Sequence, residues 1–130
     1  MMTILQTFFF DHIDPEEVYD AYMSENKHSV FTSSECEISK SIGGQCTMYD
    51  GYIQARNLVL ERGKVIEQQW MAQEDEWPEG HESVIRIVLE SQKGGTLLTL
   101  THSGVPDSLK DTLEKGWLTY YWEPMEEYFG

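Results

Sequence analysis

The sequence is poor in positive charge. Only nine lysine and arginine residues stand against 23 aspartate and glutamate residues in 130 positions, which gives a formal net charge of −14. Nucleic-acid binding needs clustered Lys and Arg that contact phosphates. An anionic membrane surface attracts basic segments for the same reason. The composition therefore argues against both nucleic acid and a membrane as partners.

Long apolar runs are also missing. No segment approaches the roughly 20 apolar residues that a membrane-spanning helix needs. The apolar start, residues 1–10, has no basic region and no small-residue cleavage site, so it indicates a strand and not a signal peptide. These features favour a location in the cytosol.

Cysteine is scarce, with only Cys36 and Cys46, which flank the Gly43-Gly44 turn. A symmetric hairpin would place the two thiols opposite each other. Cytosolic disulfides are uncommon and their geometry is demanding, so two buried thiols are favoured over a regulated disulfide. No histidine pattern accompanies the pair, and no metal or cofactor site is predicted.

The predicted order of elements is a strand, two short helices, about six more strands and a long helix. Residues 3–12 are rich in β-branched and aromatic side chains, which indicates the first strand. Asp14 caps a helix that begins at Pro15 and runs to about residue 23, and a short helical segment over 24–31 follows. Apolar and polar residues then alternate over 34–102, with Gly-rich turns, which predicts antiparallel hairpins. One domain is expected over residues 1–130.

Residues 107–129 predict a single C-terminal helix, capped by Asp107 or Ser108. Apolar residues recur there at helical spacing in two stripes: Leu109, Leu113, Trp117 and Tyr120, and Leu118, Trp122, Met125 and Phe129. One sheet covers only one stripe of a straight helix. The second stripe needs either internal cover from the two short helices or a homodimer. Pro124 is expected to kink the helix, because it removes a hydrogen bond to the Tyr120 carbonyl.

These elements favour an α+β fold in which a curved antiparallel sheet wraps the terminal helix. The sheet must bury one face, and the C-terminal helix is the only element large enough to cover it. Bulges and glycines bend such a sheet, which leaves space for an apolar pocket between sheet and helix.

Several short segments occur in an order that resembles a known family. They are Gly43-Gly44, Asp50-Gly51-Tyr52-Ile53, Val65-Ile66 leading to Trp70, Gly95-Thr96, Thr101-His102-Ser103-Gly104-Val105-Pro106, and Gly116-Trp117 followed by Tyr121-Trp122-Glu123-Pro124. The set resembles the family named after the homologue of the ninety-kilodalton heat-shock-protein ATPase activator. That family belongs to the START-like (SRPBCC) helix-grip superfamily, which also includes the birch-pollen allergen.

The resemblance covers nearly the whole chain and implies the helix-grip fold, an internal cavity and usually a non-catalytic or unassigned role. The sequence departs from the family at Phe31, where a tryptophan is frequent. The larger chaperone activators also carry a separate N-terminal domain that is not in this chain, so their activity is not carried over.

Seven side chains share the inward phase and are expected to line the pocket. They are Cys46, Met48, Trp70, Leu100, His102, Trp117 and Tyr120. His102 lies on an apolar strand face. Three roles are open to a neutral imidazole there: a core residue whose ring nitrogens are hydrogen-bonded, a ligand contact, or a base. The acidic run Glu74-Asp75-Glu76 indicates a solvated loop.

Three functions from different classes remain open. The favoured one is a non-catalytic module that binds a small apolar molecule or lipid between sheet and helix. The alternative is a protein-interaction module that docks a chaperone or another protein, motivated by the acidic surface and the second apolar stripe. A cavity enzyme using His102 comes last, because the sequence has no nucleophile-elbow, metalloprotease, P-loop or dinucleotide motif.

Overall fold

A seven-stranded antiparallel sheet forms the body of the structure, a computed structural model that describes residues 1–130. The strands are β1 (Met2–Phe10), β2 (Glu37–Ile38), β3 (Gln45–Met48), β4 (Ile53–Glu61), β5 (Val65–Ala72), β6 (Ser83–Gln92) and β7 (Gly95–Val105). Their spatial order is β1-β7-β6-β5-β4-β3-β2, so consecutive strands pair as hairpins and the first strand joins the last. The predicted α+β helix-grip fold, with its curved antiparallel sheet, is confirmed.

Two short helices follow β1, as expected: α1 (Pro15–Met23) and α2 (Glu25–Thr32). Pro15 is the first helical residue, but the Asp14 side chain makes no capping hydrogen bond. The Asp14 main-chain carbonyl instead accepts from Glu17 and Val18. The Ser24 side chain caps α2 by accepting from the Lys27 amide.

Alternation along the strands places the core on one face of the sheet. In β7, Leu98, Leu100 and His102 are buried, and in β6 Ile85 and Ile87 are buried in the same way. Irregular pairing interrupts the register in β1 between Met2 and Ile4 and in β4 between Asn57 and Val59. Such bulges bend a sheet, which agrees with its curvature around the C-terminal helix.

The C-terminal helix is a composite of four segments. It begins with a 3₁₀ turn (Asp107–Leu109), continues as α3 (Lys110–Trp117), widens into a π segment (Leu118–Trp122) and ends as α4 (Glu123–Phe129). The prediction that Asp107 or Ser108 caps it is wrong, since the 3₁₀ turn starts without a side-chain cap.

The π segment merges the two predicted stripes. Its turn is wider than an α turn, because its hydrogen bonds run between residues five apart. Trp117 and Trp122 consequently stack, with ring centroids 5.3 Å apart and planes 13° apart. Trp122 also donates to the Gln6 side chain in β1, and α2 packs against α4. The second stripe is thus largely internal at Trp122 and Met125, whereas Leu118 remains 40% exposed.

The π segment shifts the helical phase, and this shift corrects the prediction for Tyr120. That side chain was expected to point inward, but it is 59% exposed, and Tyr121 is the buried tyrosine instead. A strict α-helical repeat does not allow for the extra residue in the π turn.

The two cysteines are not opposite each other. Cys46 pairs with Ile38 in the β2–β3 ladder, two residues beyond Cys36, and both thiols are free. Cys46 is buried and Cys36 only partly so. The reason is that the loop between β2 and β3 is longer than a tight Gly-Gly turn. The Asn57 side chain holds this loop by donating to the carbonyls of Ser39 and Ser41.

No helix in the chain has the length and apolar character needed to cross a bilayer.

Candidate functional site

A cleft of about 440 Å³ opens between the sheet and the C-terminal helix. We call it the sheet–helix cleft; its lining residues are Tyr49, Tyr52, Ile53, Trp70, Glu74, Thr112, Leu113, Gly116, Trp117, Tyr120 and Tyr121. The β3–β4 turn, the start of β4, β5 and the loop after it supply one wall, and the helix supplies the other. Its size is typical of small-molecule sites.

Aromatic rings form a continuous series along this cleft. The ring centroids of Trp70 and Trp117 are 5.7 Å apart, those of Trp117 and Tyr121 5.0 Å, and those of Tyr121 and Tyr49 5.6 Å. Tyr120 extends the series at 6.0 Å from Tyr49. The rings are tilted or edge-on to one another, which is the preferred geometry for aromatic pairs.

Of the seven residues predicted to line a pocket, three border the sheet–helix cleft: Trp70, Trp117 and Tyr120. The other four are fully or almost fully buried in the core and do not border it: Cys46, Met48, Leu100 and His102. Alternation along a strand predicts which side chains point inward. It does not distinguish an inward side chain that is packed in the core from one that borders the cleft.

His102 has a hydrogen-bond partner at each ring nitrogen. The Trp117 indole donates to Nδ1 at 3.1 Å. The Ser83 hydroxyl lies 2.8 Å from Nε2, and that hydroxyl donates its own proton to the Trp70 carbonyl at 2.7 Å. His102 is therefore the neutral tautomer with its proton on Nε2, which it donates to Ser83. Burial lowers the pKa of His102 to about 3.

This environment does not suit a catalytic base. Ser83 is a second polar group within hydrogen-bond reach of His102, which a cavity enzyme requires. However, Nδ1 of His102 is occupied by an indole and not by a carboxylate, and neither Ser83 nor His102 lines the sheet–helix cleft. The arrangement fixes Trp70 and Trp117 in place from behind, which shapes the cleft wall.

One buried donor in the cleft wall lacks a partner. Trp70 is 3% exposed, and its Nε1 has no hydrogen-bond acceptor in the structure. An unpaired buried N–H costs about 1–3 kcal/mol, so native proteins retain few of them.

Sequence reasoning missed the β3–β4 turn as a wall of the cleft. Tyr49 and Asp50 both have positive φ there, of 51° and 58°, followed by Gly51 at 89°. Consecutive residues in this region are strained unless neighbours hold them, and the Asp50 side chain accepts from the Glu35 amide at 2.8 Å. The Asp50-Gly51 dipeptide signals the turn, but nothing local shows that it carries Tyr49 to the helix.

Glu74 is a second feature of the cleft that the sequence pattern does not reveal. The acidic run predicts a solvated loop, and Asp75 and Glu76 are exposed as expected. Glu74 instead turns to the cleft and accepts a hydrogen bond from the Tyr52 hydroxyl. Burial and this contact raise the pKa of Tyr52 above its usual value.

A buried polar network lies beneath the cleft. Tyr22 donates to the Gln68 carbonyl oxygen at 3.0 Å, and the Gln68 amide donates to Asn57 at 2.8 Å. His28 lies 2.7 Å through Nδ1 from the Tyr22 carbonyl, and Tyr121 contacts its Nε2 at 3.1 Å. The carbonyl only accepts, so His28 carries its proton on Nδ1 and accepts from Tyr121. Burial lowers the pKa of His28 to about 4.

A larger open groove lies elsewhere, between α2 and the β2–β3 edge, with a volume of about 970 Å³. Polar and acidic groups line it, including Glu25, Glu35, Glu37 and Asp50, and Cys36 is its only apolar residue. It lacks the apolar walls of a small-molecule site. The sheet–helix cleft is the better candidate.

Comparison with known proteins identifies the family. The family model described as activator of Hsp90 ATPase homolog 1-like protein matches residues 12–130. The chain belongs to this family. Residues 12–130 include every helix and all strands except β1.

Family members with curated names are similar over most of this chain. The human protein called activator of 90 kDa heat shock protein ATPase homolog 1 is 28% identical over 129 residues, which is 99% of this chain and 37% of the human protein. A Dictyostelium discoideum activator of 90 kDa heat shock protein ATPase homolog is 33% identical over 104 residues, 79% of this chain and 27% of that protein. The chain thus spans about a third of the length of these family relatives.

Two solved structures have the same fold as this chain. A crystal structure of an HSP90 activator from Plasmodium falciparum has a TM-score of 0.91 at 19% identity, covering 100% of this chain and 97% of that one. The solution structure of the Aha1 dimer from Colwellia psychrerythraea has a TM-score of 0.77 at 16% identity, covering 92% and 90%. At these identities the likeness establishes the fold alone.

Proposed function

We propose that this family member is a non-catalytic binding module whose ligand is a small, largely apolar molecule in the sheet–helix cleft. The observation that supports the proposal is the cleft itself, about 440 Å³ with eight apolar or aromatic residues among eleven. A few polar groups suffice to orient such a ligand. Glu74 and Thr112 are the polar side chains other than tyrosine that border the cleft.

Gly116 marks the helix side of this proposal. A methyl group added there meets only the Tyr120 ring, at 3.8 Å, so the position opens onto the cleft. Glycine costs about 1 kcal/mol relative to alanine within a helix. The glycine keeps this side of the cleft open for a ligand, which accounts for that cost.

The test is a titration with N-phenyl-1-naphthylamine, a neutral probe whose fluorescence rises in apolar sites. Gly116→Leu fills the cleft and should weaken probe binding at least tenfold. Thr119→Leu adds the same side chain at an exposed position outside the cleft and should leave binding unchanged. Native mass spectrometry of the freshly purified protein checks for a molecule that co-purifies. No probe binding and no co-purified molecule would rule out the proposal.

A protein-interaction role is the second candidate, and family membership favours it. The curated relatives are named as activators of a 90 kDa heat shock protein ATPase, although this chain covers about a third of them. We propose that Leu118, an apolar side chain exposed on the C-terminal helix, contributes to such a contact. Isothermal titration with the purified chaperone should show binding that Leu118→Glu weakens and Thr119→Glu weakens less. Absence of binding by the wild-type chain would exclude this role.

A further inference from the structure

The lining of the sheet–helix cleft has an unusual chemical bias. Six of its eleven residues are aromatic, one is a carboxylate and none is basic. We propose that the cleft binds an organic ammonium group, so that the ligand of the module is a cation with an apolar body. This inference rests on the proposed function and adds the chemical class of the ligand.

Aromatic rings attract cations through their negative faces. An ammonium group within about 6 Å of a ring centroid gains roughly 0.5–1 kcal/mol at an exposed site and about 2 kcal/mol when it is desolvated. The cleft offers a continuous series of rings from Trp70 through Trp117, Tyr121 and Tyr49 to Tyr120, with adjacent centroids 5.0–6.0 Å apart. No lysine or arginine occupies the cleft, so these rings have no internal cation.

Glu74 supplies the matching negative charge. The Tyr52 hydroxyl donates to its Oε2 and holds the carboxylate at the cleft, while Oε1 has no partner in the structure. No arginine or lysine pairs with Glu74, although Arg56, Arg62, Arg86 and Lys110 each pair with another carboxylate. A carboxylate that faces an aromatic cleft without a cation is costly to desolvate when a neutral ligand covers it.

The other ligand classes fit this chemistry less well. An anion would meet Glu74 at close range in a chain whose formal charge is −14. A neutral hydrocarbon would use the rings but would bury the carboxylate unpaired. A cation uses the rings and the carboxylate together, and the net charge of the protein raises its local concentration.

Choline and 3,3-dimethylbutan-1-ol form the decisive pair of probes, because they have nearly the same shape and differ in charge. In an NMR titration of the whole chain, the indole N–H signals of Trp70 and Trp117 should shift on addition of choline. Choline should bind at least fivefold more tightly than the neutral alcohol. Equal affinities would overturn the inference.

Glu74→Gln should weaken choline binding about tenfold and should leave the neutral alcohol unaffected. The matched control is Glu76→Gln, which removes the same charge from an exposed position in the same loop outside the cleft. If both variants weaken choline equally, the attraction is a long-range effect of net charge, and the specific role of Glu74 is excluded.

The ammonium group has two possible sources, a free small molecule or a lysine side chain of another protein. Nα-acetyl-Nε-trimethyllysine methylamide and its unmethylated form separate them. Tighter binding of either lysine derivative than of choline indicates a side chain, and the reverse indicates a free ligand. Binding of N-phenyl-1-naphthylamine without binding of any of these cations would overturn the inference while leaving the proposed function intact. Failure of all the probes, together with the absence of a co-purified molecule, would remove both.

Discussion

The Tyr49 hydroxyl donates a hydrogen bond to the main-chain carbonyl of Tyr120. In a regular α-helix this carbonyl would accept from the amide of residue 124, but that residue is a proline and has no N–H. The π segment passes the Glu123 amide to the Leu118 carbonyl, which leaves the carbonyl of Tyr120 for a side chain from the sheet. The turn between β3 and β4 thereby completes the bonding of the C-terminal helix and fixes one wall of the cleft.

Tyr49→Phe should destabilise the protein by about 0.5–1.5 kcal/mol, the usual net value of one hydrogen bond. The loss stays modest because the bond is near the surface, where water can replace the hydroxyl. Urea denaturation measures the change. Tyr128→Phe removes the hydroxyl of a partly exposed tyrosine that makes no hydrogen bond, and it should be neutral. Equal effects of the two variants would contradict the role given to Tyr49.

The two buried histidines make stability depend on pH. An unfolded histidine has a pKa near 6.5, whereas in the folded protein burial lowers the pKa of His28 to about 4 and of His102 to about 3. Between these values the unfolded state binds more protons, so stability falls as the pH falls. Each histidine should remove on the order of 3 kcal/mol between pH 6.5 and pH 4.

Urea denaturation at several pH values tests this loss, and ring ¹⁵N–¹H spectra assign it. Both rings should stay neutral from pH 8 to pH 5, His102 with its proton on Nε2 and His28 with its proton on Nδ1. A ring that titrates near pH 6.5, or the opposite tautomer, would show that the hydrogen bonds deduced for that histidine are wrong.

The Tyr22–Gln68 hydrogen bond should be worth more than an exposed one. Tyr22→Phe leaves the Gln68 oxygen unpaired in the core, which costs about 1–3 kcal/mol. Tyr19→Phe, on the same helix, removes a hydroxyl that makes no hydrogen bond and should cost less. The double variant Tyr22→Phe/Gln68→Leu should lose less free energy of unfolding than the two single variants lose in sum. Strict additivity would show that the two side chains are not coupled.

Period-two alternation predicted the sheet and the inward direction of Trp70 and His102 because it depends on local sequence. It also places Gln68 between Ile66 and Trp70 on the buried face, so the polar network was within reach of the same pattern. What the pattern does not contain is the partner of each polar group. Gln68 is satisfied by Tyr22 and Asn57, which are 46 and 11 residues away.

The wrong prediction that Tyr120 points inward, when Tyr121 is the buried tyrosine, has a different cause. Both residues have the same type and comparable spacing from Trp117, so only the geometry of the turn decides which one is buried. That geometry depends on Pro124, on the hydroxyl of Tyr49 from a distant hairpin, and on the stacking of Trp122 against Trp117. The sequence shows Pro124, but it does not show that the distant Tyr49 hydroxyl donates to the Tyr120 carbonyl. The predicted fold was confirmed, whereas the helical phase beyond residue 117 was wrong.

Gly116→Ala should stabilise the protein by about 1 kcal/mol. The glycine lies in α3 without a positive φ, so alanine fits its backbone and restricts the unfolded chain. The added methyl group meets only Tyr120 Cδ2, at the ordinary contact distance of 3.8 Å. Thermal denaturation should show a higher midpoint, and probe binding should weaken only slightly, because a methyl group fills little of a 440 Å³ cleft. A lower midpoint would mean that something packs against this glycine, and then Gly116 could not serve as the open side of the cleft.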